Sequence, residues 1–487
     1  FYFINVDGSV SSSVSSTAKR VDVGNAAHVN ASPVLRVTRF THYWVYEKDN
    51  INLLSSGKRW LADRFSVAAG GTSAKNYTID IPDIVPTDSV RFGVSFASRS
   101  IGVPASFAVR VNNNLAQNIS LPAVSGGFLD NYATYVNSFF SVLPSSNNLQ
   151  LNIQFLPGTG GGSLSAEGFL DKIECAATRM LKMNTGVPGS GSNVGALFFR
   201  TATQSIGSTG VTAFVIDAGG VANFANTTVL DVTDFTSPTK MEGSFTAGAA
   251  PEFVFNNNAA IAREYIAFTP SQVLVPAFFG TAPNNNLHEL AAKASANYLI
   301  ITHPSLVAAA NKLAAFHAQN NEGITPLVVT TTQVYQAFGS GAPDITAIRD
   351  CIAAFARAYG AVGGTAGGAA APKFYALLFG ASSYDYKNRI TNNVNLVPGY
   401  QSSASLDPLS SYTSDDYFAL LDSSANIATE AQQFNNAATA LSVNLGRIPA
   451  KNLAEATTMV DKIINYHSAQ SQGPWRLQQR FIADDKD

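Results

Sequence analysis

Tyr298-Leu-Ile-Ile-Thr-His-Pro304 is the stretch whose reading decides the fold. Its first four residues form a short apolar run closed by a histidine and a proline. A run of that length is a strand buried on both faces, the kind found in parallel sheets. A helical pattern follows Pro304 through Leu313 to His317 and is closed by Gly323. Then comes a second strand, Pro326-Leu-Val-Val. Asp344 is placed to cap a helix with apolar positions Ile345, Ile348, Ile352, Phe355 and Tyr359, ended by Gly360. Phe374-Tyr-Ala-Leu-Leu-Phe reads as a third strand and residues 441–445 as a fourth. Asn452, with Glu455 three residues on, resembles a capping box before a helix carrying Leu453, Ala456, Val460 and Ile463. A last strand is expected at Gln479-Arg-Phe-Ile-Ala, just before Asp484-Asp485-Lys486-Asp487. Strand and helix alternating in this way give a parallel sheet with helices on both faces. Ligands of such sheets sit beyond the carboxyl ends of the strands.

Upstream, to about residue 285, the texture changes. Val90-Arg-Phe-Gly-Val-Ser-Phe, Ser106-Phe-Ala-Val-Arg-Val and Leu149-Gln-Leu-Asn-Ile-Gln-Phe have the two-residue period of half-buried strands. Gly/Ser/Asn stretches punctuate them, and residues 186–194 read as a linker. The expected fold class is multidomain β plus α/β. N-terminal antiparallel β-sandwich-like domains, residues 1–186 and 187–287, precede an α/β subdomain at 288–487. Phe1-Tyr2-Phe3-Ile4-Asn5 reads as mid-strand, so an upstream portion is expected.

The 487 residues are 46% hydrophobic and only 13% charged, against a usual charged share of about a quarter. That balance suits a β-rich extracellular protein. A net charge of −2 with no Lys/Arg cluster argues against nucleic acid. No apolar run reaches the roughly 20 residues of a membrane span.

A cysteine nucleophile needs a partnering base and usually lies on a loop at a strand end. Cys351 instead falls inside the helix begun at Ile345, and Cys175 alternates with Ile173 on a strand, so both read as plain buried thiols. His28, His42, His288, His303, His317 and His467 show no metal-ligand spacing, and no C-x₂-C pair exists. His303 directly follows a strand, a catalytic position in some folds; shaping the turn before Pro304 is the plainer reading. No nucleophile elbow, phosphate-binding loop or dinucleotide fingerprint is present. Ser414-Asp415-Asp416-Tyr417 is a paired-acid loop. Such clusters can hold calcium through oxygen ligands, so Asp415 and Asp416 are the candidate metal residues, with calcium as a structural ion only and no cofactor required. Asp484 and Asp485 form a similar pair.

The order of short motifs is more specific than any one of them. Glu47-Lys-Asp-Asn-Ile-Asn-Leu-Leu-Ser-Ser-Gly-Lys-Arg-Trp60 resembles a segment of the PorU-like type IX secretion sortases, a branch of the gingipain-like cysteine peptidase family. Lys58 stands where that family has arginine. Gly168-Phe-Leu-Asp-Lys-Ile, Val229-Leu-Asp-Val-Thr-Asp, Asn285-Asn-Leu-His and Tyr298-Leu-Ile-Ile-Thr-His-Pro continue the likeness in order. So do Asp344 with Ala347-Ile-Arg349, Leu378-Phe-Gly-Ala-Ser-Ser-Tyr-Asp-Tyr-Lys-Asn, Ser414-Asp-Asp-Tyr-Phe, Gly446-Arg-Ile-Pro, Asp461-Lys-Ile-Ile-Asn-Tyr and Ala483-Asp-Asp. Ala381 occupies a position where an acid is usual.

The resemblance implies a caspase-like unit of two Rossmann-like subdomains behind N-terminal β domains, with the first subdomain contained here. It implies a cysteine endopeptidase that removes C-terminal sorting domains from secreted cargo. The new carboxyl end is then joined to anionic lipopolysaccharide. The site would be the surface of the outer membrane of a Bacteroidetes-type bacterium, with a PorV-like outer-membrane β-barrel as tether. In that family a thiolate attacks the peptide bond and an imidazole handles protons. Both belong to motifs expected downstream of Asp487, so no residue of this chain is assigned a catalytic role and the chain by itself is expected to be inert. The alternative is a non-catalytic scaffold or docking subunit with the same fold. A surface adhesin built on the β-rich front is a third reading. Tyr43, Trp44 and Tyr46 are candidate docking aromatics, with core packing as their plainer explanation.

Overall fold

The computed structural model describes residues 24–25, 32–160, 163–183, 196–201, 210–235, 237–258, 261–273, 286–287, 289, 294–320, 323–362, 372–421 and 441–482. They fall into two compact units. One gathers described residues from 7–51 and 60–279, the other those from 52–59 and 280–487. The expected first strand at residues 1–5, the linker at 186–194, His28, His288 and the Asp484-Asp485 pair lie outside the described residues.

The first unit is β throughout. One sheet runs in the order Arg39–Glu47, Glu167–Met180, Val90–Arg99, Thr134–Val142, with Asp63–Ser66 also pairing with the long Glu167–Met180 strand. The facing sheet has the order Ala74–Asp80, Asn148–Pro157, Ala105–Val111, Asn114–Leu121. All these pairings are antiparallel. The sandwich closes because alternate residues of each strand are apolar: Leu149, Leu151, Ile153 and Phe155 all point into one core with Phe96 and Phe107. Gly168 is needed there. A Cβ on it would lie 2.5 Å from both the Phe107 and Phe155 rings.

A second pair of sheets follows. Leu35–Val37, Val211–Asp217, Glu252–Asn258 and Gly243–Thr246 form one, and Leu197–Arg200, Glu264–Phe268, Thr228–Asp231, Thr239–Lys240 and Gly24–Asn25 the other. Phe199, Phe214, Phe255 and Tyr265 fill their shared core. Leu35–Val37 pairs parallel with Thr212 to Phe214. This strand precedes the first sandwich in sequence yet completes the second, a long-range pairing that no local pattern announces.

The second unit is the expected parallel sheet. Strands β1 (Tyr298–Thr302), β2 (Pro326–Thr330), β3 (Tyr375–Phe379) and β4 (Asn444–Ile448) lie in the order β2-β1-β3-β4, all parallel. Helices α1 (Val307–Asn320) and α4 (Leu453–Tyr466) cover one face, packing on Ile300, Leu377 and Phe379. Helices α2 (Thr331–Phe338) and α3 (Ile345–Ala358) cover the other, against Leu299, Ile301, Ala376 and Leu378. Consecutive strand residues alternate between two covered faces, which is why the strand sequences are apolar throughout.

Asp344 caps α3 by accepting from the Thr346 amide at 2.8 Å. Asn452 caps α4 by accepting from the Glu455 amide at 2.9 Å, and Glu455 reaches back to the Lys451 amide at 2.9 Å. Helix α2 was not anticipated. Thr330 and Gln333 form a reciprocal capping box at its start, a signal present in the sequence as T-x-x-Q immediately after β2. The expected last strand is corrected: residues 478–482 have no regular structure, and Phe481 and Ile482 are 89% and 90% exposed. Alternating apolar residues make a strand only where a ladder receives them, and no described strand pairs with this segment.

Candidate functional site

Chain order and sheet order diverge between β1 and β3. From β1 the chain moves outward to β2, then crosses to β3 on the other side. The carboxyl ends of β1 and β3 therefore flank the topological switch point where open α/β sheets bind ligands.

Thr302, wholly buried at the end of β1, donates to the Phe379 carbonyl at the end of β3 at 3.0 Å. His303 follows and caps the turn at Pro304–Leu306: its Nδ1 accepts from the Ser305 amide at 3.2 Å and lies 2.8 Å from the Ser305 hydroxyl. Partial burial lowers its pKa. An imidazole with Nδ1 committed to a local amide orients a turn rather than a substrate.

The loop after β3 folds on itself. The Asp385 carboxyl group is fully buried and accepts from the Ile390 amide at 2.7 Å. The Asn393 side chain donates to the Asp385 carbonyl at 2.7 Å, and Asn395 accepts from the Ser383 amide at 3.1 Å. The other Asp385 oxygen is buried without a hydrogen-bond partner. Ala381, where the resemblance expects an acid, is buried and locked by its backbone to Ala450, Leu396 and Val397.

Arg447 on β4 organises this end of the sheet. Its Nε and Nη2 donate to the two Asp415 oxygens, each at 2.7 Å, in a fork-to-fork pair. Nη1 donates to the carbonyls of Gly380 at 2.9 Å and Val397 at 2.7 Å. Arg349 on α3 grips the same segment from its far end. Its guanidinium donates twice to the Leu420 carbonyl and lies 5.5 Å from the Tyr417 ring centroid. Two arginines thus fix the segment that contains the paired acids. Asp415 commits both oxygens to Arg447, while Asp416 is exposed at the start of a short turn. Among the described residues no group of three or more His, Cys, Asp and Glu converges as metal ligands.

Residues 52–59 belong to this unit although they come early in the chain. Asn52 folds the loop, accepting from the Leu54 and Ser56 amides and donating to the Gly57 and Arg59 carbonyls. The loop then pairs with residues 401–405. The Gly57 amide donates to the Gln401 side-chain oxygen at 3.2 Å, the Lys58 amide to the Ser402 carbonyl at 2.8 Å and the Arg59 amide to the Ser405 hydroxyl at 2.8 Å. Tyr386 donates to the Lys58 carbonyl at 3.1 Å.

Neither cysteine is placed for nucleophilic chemistry. Cys351 is wholly buried in α3, and burial together with Asp350 pushes its thiol far up. Burial pushes the Cys175 thiol up to about 12. Among the described residues neither sulfur has an imidazole partner. His42 is held near pKa 4 by burial and by Arg179. His467 packs its ring edge-on against Phe316. Of the candidate aromatics, Tyr43 is exposed, whereas Trp44 and Tyr46 pack partly on the sandwich core, as the two-residue strand period dictates. The roles of Arg349 and Arg447 were missed in the sequence, although both sit in the ordered motifs. The described arrangement positions loops; it contains no nucleophile–base pair.

Residues 291–487 match the family model of peptidase family C25. The fold is similar to the crystal structure of dimeric latent PorU from Porphyromonas gingivalis, with a TM-score of 0.73 at 20% identity over 94% of this chain and 41% of that one. The chain thus spans about two fifths of that protein's length. A smaller part, 28% of the chain, aligns at 8% identity and a TM-score of 0.16 with 96% of the CBM36-1 domain of a xylanase from the hindgut metagenome of Trinervitermes trinervoides. No curated protein matches.

Proposed function

We propose that this chain, whose residues 291–487 match the family model of peptidase family C25, supplies the β domains and first α/β subdomain of a cell-surface cysteine peptidase of type IX secretion. The observation that supports this reading is the likeness in fold to latent PorU over 94% of the chain. On this reading the enzyme cuts C-terminal sorting domains from secreted cargo. A further segment supplies the imidazole and the thiol. The thiolate attacks the scissile carbonyl, the imidazolium protonates the leaving amine, and an amine of anionic lipopolysaccharide takes the acyl group in place of water. A PorV-like β-barrel tethers the protein; no helix among the described residues is long and apolar enough to cross a membrane. The part played by this chain is positional. Arg447, Arg349 and the 52–59 loop hold the loops at the carboxyl ends of the sheet, where the neighbouring subdomain would dock.

The test is labelling of the complete gene product with a thiol-directed acyloxymethyl ketone, followed by peptide mapping. Labelling at a cysteine other than Cys175 and Cys351 is expected. A second reading, a non-catalytic docking subunit, draws on the two buried thiols and the absence of an imidazole partner among the described residues. Failure of the complete protein to label would favour it.

A further inference from the structure

A cavity of about 500 Å³ opens on the first β-sandwich. It lies where the edge strands of the two sheets meet. Trp44 and Tyr46 come from Arg39–Glu47, Asp63 from Asp63–Ser66, and Lys75, Asn76 and Tyr77 from Ala74–Asp80. Its volume is in the range of small-ligand sites.

The charged and phenolic groups of the cavity are paired with one another. Asp63 accepts from the Tyr46 hydroxyl at 2.7 Å, the Tyr77 hydroxyl at 3.0 Å and the Lys75 ammonium at 3.2 Å. Burial and the Asp63 charge keep both phenols protonated well above neutral pH. The lining therefore carries one negative and one positive charge that cancel at contact distance. An anion would find Lys75 already neutralised, and a cation would have to displace three donors from Asp63. Two phenol oxygens remain as acceptors, and the exposed Asn76 amide, whose oxygen accepts from the Asn152 side chain at 2.8 Å, keeps its NH2 as a donor. Beside them stand aromatic faces, with the Tyr46 and Tyr77 rings edge-to-face at 5.0 Å and Trp44 next along the strand face. Flat apolar rings next to mixed, uncharged hydrogen-bonding groups match a molecule with an apolar C–H face and a rim of hydroxyls.

We infer that this cavity binds a neutral pyranose unit of a glycan. The inference rests on the sandwich alone and is independent of the peptidase reading.

The test is saturation-transfer-difference NMR on the full chain with maltohexaose, cellohexaose and mannohexaose. Hexasaccharides of heparin and polygalacturonate serve as anionic counterparts. At least one neutral probe should bind at millimolar concentration, in preference to the anionic ones. Trp44→Ala should weaken that binding at least about tenfold. Asn76→Ala, an exposed substitution that also removes the hydrogen bond from Asn152, should weaken it about threefold while moving the melting temperature by under about 2 °C. If Trp44→Ala lowers the melting temperature, Asn76→Ala carries the decision. Absence of binding by every neutral probe, binding of anionic probes only, or affinity unchanged in Asn76→Ala would each overturn the inference.

Discussion

Gly57 and Ser405 lie 348 positions apart in sequence and in contact in the fold. Gly57 has φ +76°, and a Cβ built on it would sit 2.3 Å from the Ser405 hydroxyl oxygen. The same hydroxyl accepts from the Arg59 amide. The loop can close on residues 401–405 only because position 57 has no side chain and tolerates a left-handed backbone.

Gly57→Ala should therefore destabilise the α/β unit by about 2–3 kcal/mol, lowering its melting temperature by roughly 4–10 °C. Gly360→Ala is the control, since Gly360 has a similar φ of +85° but open space around it. Equal losses in the two variants would show that the contact with Ser405 adds nothing beyond backbone strain.

Arg447→Lys keeps the charge but loses the fork that satisfies both Asp415 oxygens and two carbonyls. The expected cost is about 2–3 kcal/mol by denaturant unfolding, because Asp415 would keep only part of its pairing. For the same reason calcium or a chelator should move the wild-type melting temperature by under about 1 °C. A larger rise with calcium would mean that Asp415 leaves Arg447 for the ion.

Both thiols should resist iodoacetamide in the native chain and react in denaturant. Burial pushes the folded Cys175 thiol up to about 12, above its ordinary value near 9.0. A raised pKa in the folded state means the unfolded chain gives up its proton first. The stability linked to this group is intact below about pH 9 and is lost as pH climbs toward about 12. Cys175→Ala should flatten that alkaline fall in unfolding free energy.

His303 and His42 work in the opposite direction. Burial lowers both, His42 to about 4 with help from Arg179. A lowered pKa in the folded state means the unfolded chain binds the proton first. Their contribution is present above the unfolded value near 6.5 and is lost as pH falls below it, for His42 down to about 4. His303→Asn, which can still accept from the Ser305 amide, should reduce the acid slope while costing under about 1 kcal/mol at neutral pH. An unchanged slope would remove His303 from the account.

The β strands, the parallel sheet and the caps at Asp344 and Asn452 were legible because each depends on neighbours within a few residues. Alternation, apolar runs and side-chain-to-amide spacing are local properties. The capping box at Thr330 and Gln333 was equally local and was passed over. Residues 479–482 failed the other way: their alternation is strand-like, but alternation alone does not provide a ladder.

The sequence by itself determined the two textures, the family likeness carried by ordered motifs, and the burial of Cys175 and Cys351 on apolar faces. Only the tertiary structure decided what the motif residues do. It brought Gly57 to Ser405, Arg447 to Asp415 and Arg349 to the Leu420 carbonyl. It sent Leu35–Val37 to a sheet otherwise built after residue 210. These are pairings across tens to hundreds of residues, made by polar groups whose partners are chosen by chain crossing. Periodicity carries no information about such choices, because a hydrogen bond depends on where two atoms meet and not on how far apart they lie in sequence.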